Sequence, residues 1–574
     1  MDRRSVFFFV VLFSLIFSVG EDVCIYAQGV MQGGSQRVLP GAAQRVSPGG
    51  LQRVSQGEAQ RVSPGDSQRT VQGGSQRILQ EKVNKLGQAM FFINRLYLDT
   101  TNLDAITDKA LEAMMKELDP HSSYISAKDM KAMNEPLEGN FDGIGVEFAL
   151  INDTLAINST IPGGPSEKVG IRAGDKIVKV DDEVIAGTGL TIERVHGYLR
   201  GPKGTKVKVS VVRRGVPEEL EFLITRDKIP LNSVDSYYLL DGDIVYLRLT
   251  RFAATSYKEM LLALKELGVL PKGIILDFRG NPGGYLVAAI QIANEFLQKG
   301  ELIVYTEGRT VQRMEEYANG AGVLKDVPVA VLIDENSASA SEIVSGAIQD
   351  WDRGVVIGRR SFGKGLVQQQ LPLQDGSALR LTVSRYHTPS GRVIQSPYEQ
   401  GKKDEYYKQL IERFNRGESF SRDSIQLPDS LKFKTLKKGR DVYGGGGIMP
   451  DIFIAQDTSF YTPFYGEILR KGLLTDYMNE FSDRHRNEIL RKYKSPENFV
   501  AKYEVPDSEI AAFLDYCAAK GVKPAEGDMA VSGAEIRKYF KGLILRSVYS
   551  FNDFIKFINR DDPVILRAVE ELTR

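Results

Sequence analysis

Between Asn336 and Gly365 the chain reads NSASASEIVSGAIQDWDRGVVIGRRSFGKG, with five serines, one lysine and no histidine. A serine hydroxyl becomes a nucleophile only when a neighbouring base takes its proton. The stretch therefore poses two questions: which serine, and which base. The run VPVAVLID before it is continuously apolar, as a buried strand would be, and ASEIVSGAIQD places Ile343, Val344, Ala347 and Ile348 at helical spacing. A helix must start between them. The Ser-x-x-Glu capping pattern fits only Ser339 with Glu342, because Ser337 has Ala340 at that offset and Ser341 has Val344. Ser339 is thus expected at the helix entrance, where backbone N–H groups lack intrahelical acceptors and point outward. An N-cap alone would explain it. So would a nucleophile whose oxyanion those amides hold.

For the base, the chain offers four histidines, His121, His196, His387 and His485. Only His387 falls in the same α/β region, in a YHTPSG turn with no acidic neighbour in sequence; a Ser-His-Asp arrangement through it stays open at this point. Lys364 is the stronger candidate. It lies between Gly363 and Gly365, which let the backbone turn tightly. To accept a proton it must be neutral, so its pKa must fall from about 10.4 to roughly 7, at a cost of about 4–5 kcal/mol that burial can impose. Strand alternation puts Lys364, Leu366 and Gln368 on one side, and a neutral amide at Gln368 can hold the amine without recharging it as a carboxylate would. The segment GRRSFGKG, Gly358 to Gly365, imitates a phosphate-binding loop but ends in Gly rather than Ser/Thr and runs into a strand, which argues against a nucleotide.

These residues need a frame to position them, and 574 residues suggest three or four domains. Lys+Arg and Asp+Glu both total 74, so no global field points to nucleic acid or an anionic surface. Arg3 and Arg4 precede an uncharged, mostly apolar run from Val6 to Val19, too short to span a bilayer comfortably and fitting an export signal over residues 1–27, with a short membrane anchor as the alternative. Within a segment over residues 28–80, positions 32–80 repeat every eight residues, with Gln-Arg at 36, 44, 52, 60, 68 and 76. Gly and Pro in most units suggest a disordered tether. Residues 81–137 read as a small helical domain with Ile106, Ala110, Met114 and Leu118 on one stripe. Residues 138–226 change to short β runs with one amphipathic stretch, TIERVHGYLRG. From 227 to 457 strands alternate with helices, the pattern of an α/β layer fold, with a polar stretch at 398–440 read as an insertion. Residues 458–574 read as mostly helical.

The stretch NSASASEIVSGAIQDWDRGVVIGRRSFGKGLVQ closely resembles the signature of the C-terminal processing peptidases, or tail-specific proteases. The resemblance extends from about Leu86 to Ile454 and implies a crotonase-like α/β core with a Ser/Lys dyad. Matched position by position, it implies Ser339 as nucleophile, Lys364 as general base and Gln368 as its support. ILDFRGNPGGYL resembles the family's oxyanion loop and points to Gly283 (or Gly284) with Ala340. The β module resembles a PDZ domain: Gly143, Ile144, Gly145 and Val146 match its carboxylate-binding loop, and Val195 and Leu199 would line the pocket for an apolar final side chain. Arg200 stands at the arginine that in some members couples this domain to the active site. His387 replaces a usual aromatic and Ser361 a common Thr, neither a named catalytic group.

The expectation is an exported serine endopeptidase, periplasmic in a Gram-negative source and with an anchor to the membrane left open. It would bind apolar C-terminal tails of protein substrates and cleave them without metal, organic cofactor, nucleotide or nucleic acid. An adaptor protein and a homo-oligomer stay open. The alternative from another class is a catalytically silent PDZ scaffold that binds exported tails.

Overall fold

The computed structural model describes the backbone of residues 64–574 and side chains from 76 onward; the export signal and the repeat units before Pro64 lie outside them. The described chain divides after Leu118 into two compact units.

The first holds helices α1 (Pro64–Leu96) and α2 (Leu103–Lys116). The disordered reading of 28–80 is therefore corrected from Pro64 on. Pro64 opens the helix, where its missing N–H costs nothing, and no proline follows within α1. The stripe expected on α2 is also displaced: Met115 is buried, whereas Met114 and Leu118 are 48% and 40% exposed.

The second unit starts at Asp119, so residues 119–137 belong to it and not to a separate helical domain. It opens with β1 (Ser123–Ile125) and α3 (Ala127–Glu138). A β module follows: β2 (Val146–Ile151), β3 (Thr154–Thr160), β4 (Lys176–Val180), helix α4 (Ile192–Leu199), β5 (Lys206–Val212) and β6 (Leu220–Thr225). The strands form an antiparallel sheet in the order β2-β3-β4-β5-β6, with β2 at one edge.

The α/β region contains β7 (Val234–Leu240), β8 (Ile244–Leu249), α5 (Ser256–Leu267), β9 (Gly273–Asp277), α6 (Leu286–Asn294), β10 (Leu302–Glu307), β11 (Val329–Ile333), α7 (Ala340–Asp350), β12 (Val355–Gly358), β13 (Leu366–Pro372), β14 (Ala378–His387), α8 (Lys403–Asn415) and β15 (Ile452–Phe453). One sheet runs β7-β8-β9-β11-β12-β15, parallel from β8 onward. A second, antiparallel sheet joins β1, β14, β10 and β13.

Side chains of the parallel sheet alternate between two cores. Val245, Leu247, Ile274, Leu276, Val331 and Ile333 pack with α5, α6 and α7. Tyr246, Ile275, Ala330, Leu332 and Ile357 pack with the C-terminal helices. These include α9 (Leu473–Lys492), α10 (Phe551–Ile558) and α11 (Pro563–Thr573). A parallel sheet must be covered on both faces, and residues 458–574 supply the second cover. Among the described residues no helix is long and apolar enough to cross a membrane.

Candidate active site

Strand β11 delivers the chain to a sharp turn, and α7 leaves it. Ser339 stands at the N-cap of α7 with φ 57° and ψ −109°, a conformation non-glycine residues rarely adopt. The Glu342 carboxylate over-determines that turn. Its Oε2 accepts the N–H of Ser339 at 2.7 Å and of Lys364 at 2.9 Å, and its Oε1 accepts the Ser361 hydroxyl at 2.5 Å and the Gly363 N–H at 2.8 Å. Glu342 was legible only as a cap. It is the hub that binds the two motifs to each other. Burial pushes its pKa up to about 7, against the pull of those donors, Ser361 foremost.

Tyr386 adds a second tie. Its hydroxyl donates to Ser339 O at 3.1 Å and to Lys364 O. Gly363 is required where it stands: with φ +92°, an added Cβ would lie 2.3 Å from Ser396 Oγ. Ser339 and Lys364 are 0% and 1% exposed.

Among the described residues no carboxylate pairs with Lys364 Nζ. Lys364 Nζ donates to Gln368 Oε1 at 2.9 Å, and Gln368 Nε2 donates to His121 O at 2.5 Å. Burial holds the Lys364 pKa well below the ordinary lysine value, the nearby Arg380 charge adds to the effect, and Asp119 and Glu342 oppose it. His121 is pushed down to about 2 by burial and then by Lys364 and Lys403, so its imidazole is neutral. The turn carrying it is pinned by Asp119, which accepts from Ser122 and Thr382. This turn is not legible in the sequence, because Asp119 is far from Gln368 in the chain and only the β1–β14 pairing brings them together. Helix α8 is hidden in the same way, within the stretch that reads as a polar insertion. Tyr406 of α8 packs edge-on against His121, and Arg413 donates to Phe362 O and Ser361 O within the lysine loop.

His387 is elsewhere. Its ring stacks on Tyr305 at 4.4 Å, its Nε2 lies 3.2 Å from Glu307, and Nδ1 faces Gly391 O. None of these partners is Ser339, and the histidine-base alternative loses its support.

The loop after β9 meets the Ser339 turn directly. Gly283 has φ +99°, and a Cβ there would lie 2.7 Å from Ala338 O and 2.9 Å from both Ala340 N and Ser339 Cβ. The Gly283 N–H itself donates to Asn281 Oδ1 at 2.8 Å, so in this state that amide is engaged rather than open to an oxyanion. Ala340 lies in the first turn of α7, where helix geometry leaves its N–H without an intrahelical acceptor.

In the β module, Ile144, Val195 and Leu199 share one buried cluster, with Val146 packed against it. They come together as expected, but as core: Val195 is 0% exposed, so the expected pocket is closed in this state. Gly145 has φ +76°, and its carbonyl accepts from Ile161 N–H; Gly143 pairs with Asp227. Arg200 caps the end of α4, stacks on Phe141 and donates to Glu135 of α3 at 3.0 Å. Among the described residues no group of His, Cys, Asp and Glu could hold a metal ion.

Residues 243–401 match peptidase family S41, residues 157–213 match the PDZ domain, and residues 464–566 match a family of unknown function. A carboxy-terminal-processing protease of Bartonella bacilliformis is 39% identical over 321 residues, 55% of this chain and 73% of that protein. A probable CtpA-like serine protease of Staphylococcus aureus is 35% identical over 320 residues, 55% of this chain and 63% of that one. Among solved structures, the photosystem II D1 C-terminal processing protease is 26% identical, covering 66% of this chain and 90% of that one with a TM-score of 0.32. The PDZ domain of a carboxy-terminal protease from Vibrio cholerae, solved with a peptide, is 32% identical, covering 16% of this chain and 99% of that one with a TM-score of 0.15. The chain belongs to the carboxy-terminal-processing serine proteases of peptidase family S41 and carries a PDZ domain.

Proposed function

We propose that this protease is an exported endopeptidase that takes the apolar C-terminal tail of protein substrates on its PDZ domain and cleaves by a Ser339/Lys364 dyad on a crotonase-like core. The observation that carries the reading is the shared Glu342 carboxylate, which ties the backbones of Ser339 and Lys364 together inside a buried site. Neutral Lys364 Nζ removes the Ser339 proton as Oγ attacks the carbonyl carbon, giving a tetrahedral adduct. The Ala340 amide and the Gly283–Gly284 loop, once the Asn281 bond to Gly283 opens, hold the oxyanion. Protonated Lys364 returns the proton to the leaving amine as the C–N bond breaks. It then takes one from the water that attacks the acyl-enzyme and gives it to Ser339 Oγ as the acyl C–O bond breaks, which restores the hydroxyl and the neutral amine. Gln368 is the neutral clamp on the amine.

On the PDZ side, backbone amides of Gly143 to Val146 receive the tail carboxylate, and the tail adds a strand beside edge strand β2. Ile144, Val146, Val195 and Leu199 open to take its last side chain. Arg200, through Glu135 and α3, couples that event to the turn that holds Gln368. The signal-like N-terminus supports export.

The test is cleavage of an unstructured protein ending in apolar residues. Ser339→Ala and Lys364→Ala should each lose at least about a thousandfold in rate, with His387→Ala near wild type. Retained cleavage in Lys364→Ala, or loss in His387→Ala alone, contradicts the dyad.

A further inference from the structure

The loop that faces Ser339 begins at Arg279, and Arg279 is held from two directions. Its N–H and Nε donate to Asp277 Oδ1 at 3.0 and 2.9 Å, and its Nη2 donates to Asp277 Oδ2 at 2.6 Å. Asp277 is 3% exposed in its side chain, ends β9 and also accepts from Tyr246 at 2.8 Å. The remaining arm, Nη1, donates to Asp562 Oδ2 at 2.7 Å. Asp562 lies 283 residues away, at the N-cap of α11. Its two oxygens divide the work, since Oδ1 accepts the N–H groups of Val564 and Ile565 at 2.8 and 3.4 Å. The first turn of the last helix is thereby locked to the first residue of the loop. From Arg279 the loop has few ways to move: Gly280 N–H donates to Asp334 Oδ1, Asn281 Nδ2 to Leu249 O, and Gly283 lies against the Ser339 turn.

We propose that Asp562 is a positioning residue for peptide hydrolysis: by fixing Arg279 it sets where the Gly280–Gly284 loop meets Ser339, and so the C-terminal helical region takes part in building the catalytic site. The inference rests on the reading of that loop as one side of the oxyanion site, and it gives residues matching a family of unknown function a role in the reaction. A surface ion pair alone would brace the helix and nothing more. The proposal instead requires that breaking the pair alter turnover.

Asp562→Asn and Asp562→Ser both retain N-capping ability while removing the charge, and whichever variant folds serves. In the full-length enzyme, on an unstructured protein substrate, kcat should fall about three- to tenfold with KM and thermal midpoint close to wild type. Affinity for a peptidyl boronic acid, whose tetrahedral adduct occupies the oxyanion site, should fall in parallel. Combined with Arg279→Gln, either variant should add little further loss, because both act through one contact. Wild-type kcat and boronate affinity in the variants, or a kcat loss with boronate affinity unchanged, would overturn the proposal. Ser339→Ala as a control separates the two layers: if it abolishes cleavage while the Asp562 variants match wild type, the inference fails and the nucleophile assignment stands.

Discussion

Removing a lysine ammonium from water costs far more than a single amide acceptor returns. In the proposed mechanism Lys364 meets that problem by giving up its charge. Burial, then the positive field of Arg380, favour the neutral amine, and Gln368 accepts from it without supplying a negative charge that would reverse the effect. The same arrangement costs the protein stability. In the unfolded chain Lys364 binds a proton below about 10.4, whereas in the fold it releases that proton at a lower pH. Folding therefore sheds a proton across the window between the two values, and native stability rises with pH there, by about 1.4 kcal/mol per pH unit. Lys364→Met, similar in length and without a charge to shed, should be more stable than the wild type at pH 7. Denaturant unfolding at several pH values should show the gap narrowing as pH climbs toward 10. Curves that stay parallel would mean that Lys364 keeps its proton in the fold.

At the scale of elements, local signals were readable and distant ones were not. Ser339 as the N-cap of α7 follows from Glu342 three positions on, and Lys364 with Gln368 follows from strand alternation into β13. Both are contacts within a few residues. The β module and the alternation of strands with helices were visible for the same reason, as periods of two and of about 3.6 within short windows. What the chain hid was pairing across long separations. The turn at Asp119 to Ser122 reaches Gln368 only because β1 adds to β14. Helix α8 looked like a polar insertion because its contacts with the lysine loop run through Arg413 and the buried Tyr406, one positively charged and one aromatic residue in a charged stretch. The repeat region misled in the other direction: glycine in its last units lowers helix propensity by about 1 kcal/mol each without forbidding α1. The Gly283 amide shows a further limit, since a glycine pair marks a close approach but not which acceptor its N–H has found.

For the molecule as a whole, the parallel sheet explains why the C-terminal helices are not an appendage. The strands GIILD and VAVLI are buried on both faces, and the face carrying Tyr246, Ile275, Ala330, Leu332 and Ile357 is covered by residues after 458. Helix α9 also reaches the PDZ domain, where Lys176 pairs with Asp483 at 3.0 Å and Arg214 donates to Arg484 O at 3.2 Å. A chain truncated after residue 458 should expose that apolar sheet face and aggregate on expression, while Lys176→Ala, which removes one partly exposed pair, should change stability by less than about 1 kcal/mol. A soluble, monodisperse and active truncation would show that the second layer is dispensable. The central claim is chemical: the base is an uncharged lysine. Its most direct measurement is an NMR titration of Ser339→Ala carrying 13C at the lysine ε-carbons, with Lys364→Arg identifying the resonance. The account predicts that Lys364 titrates far below the other lysines; titration at about 10.4 or above, in step with the exposed lysines, would contradict it.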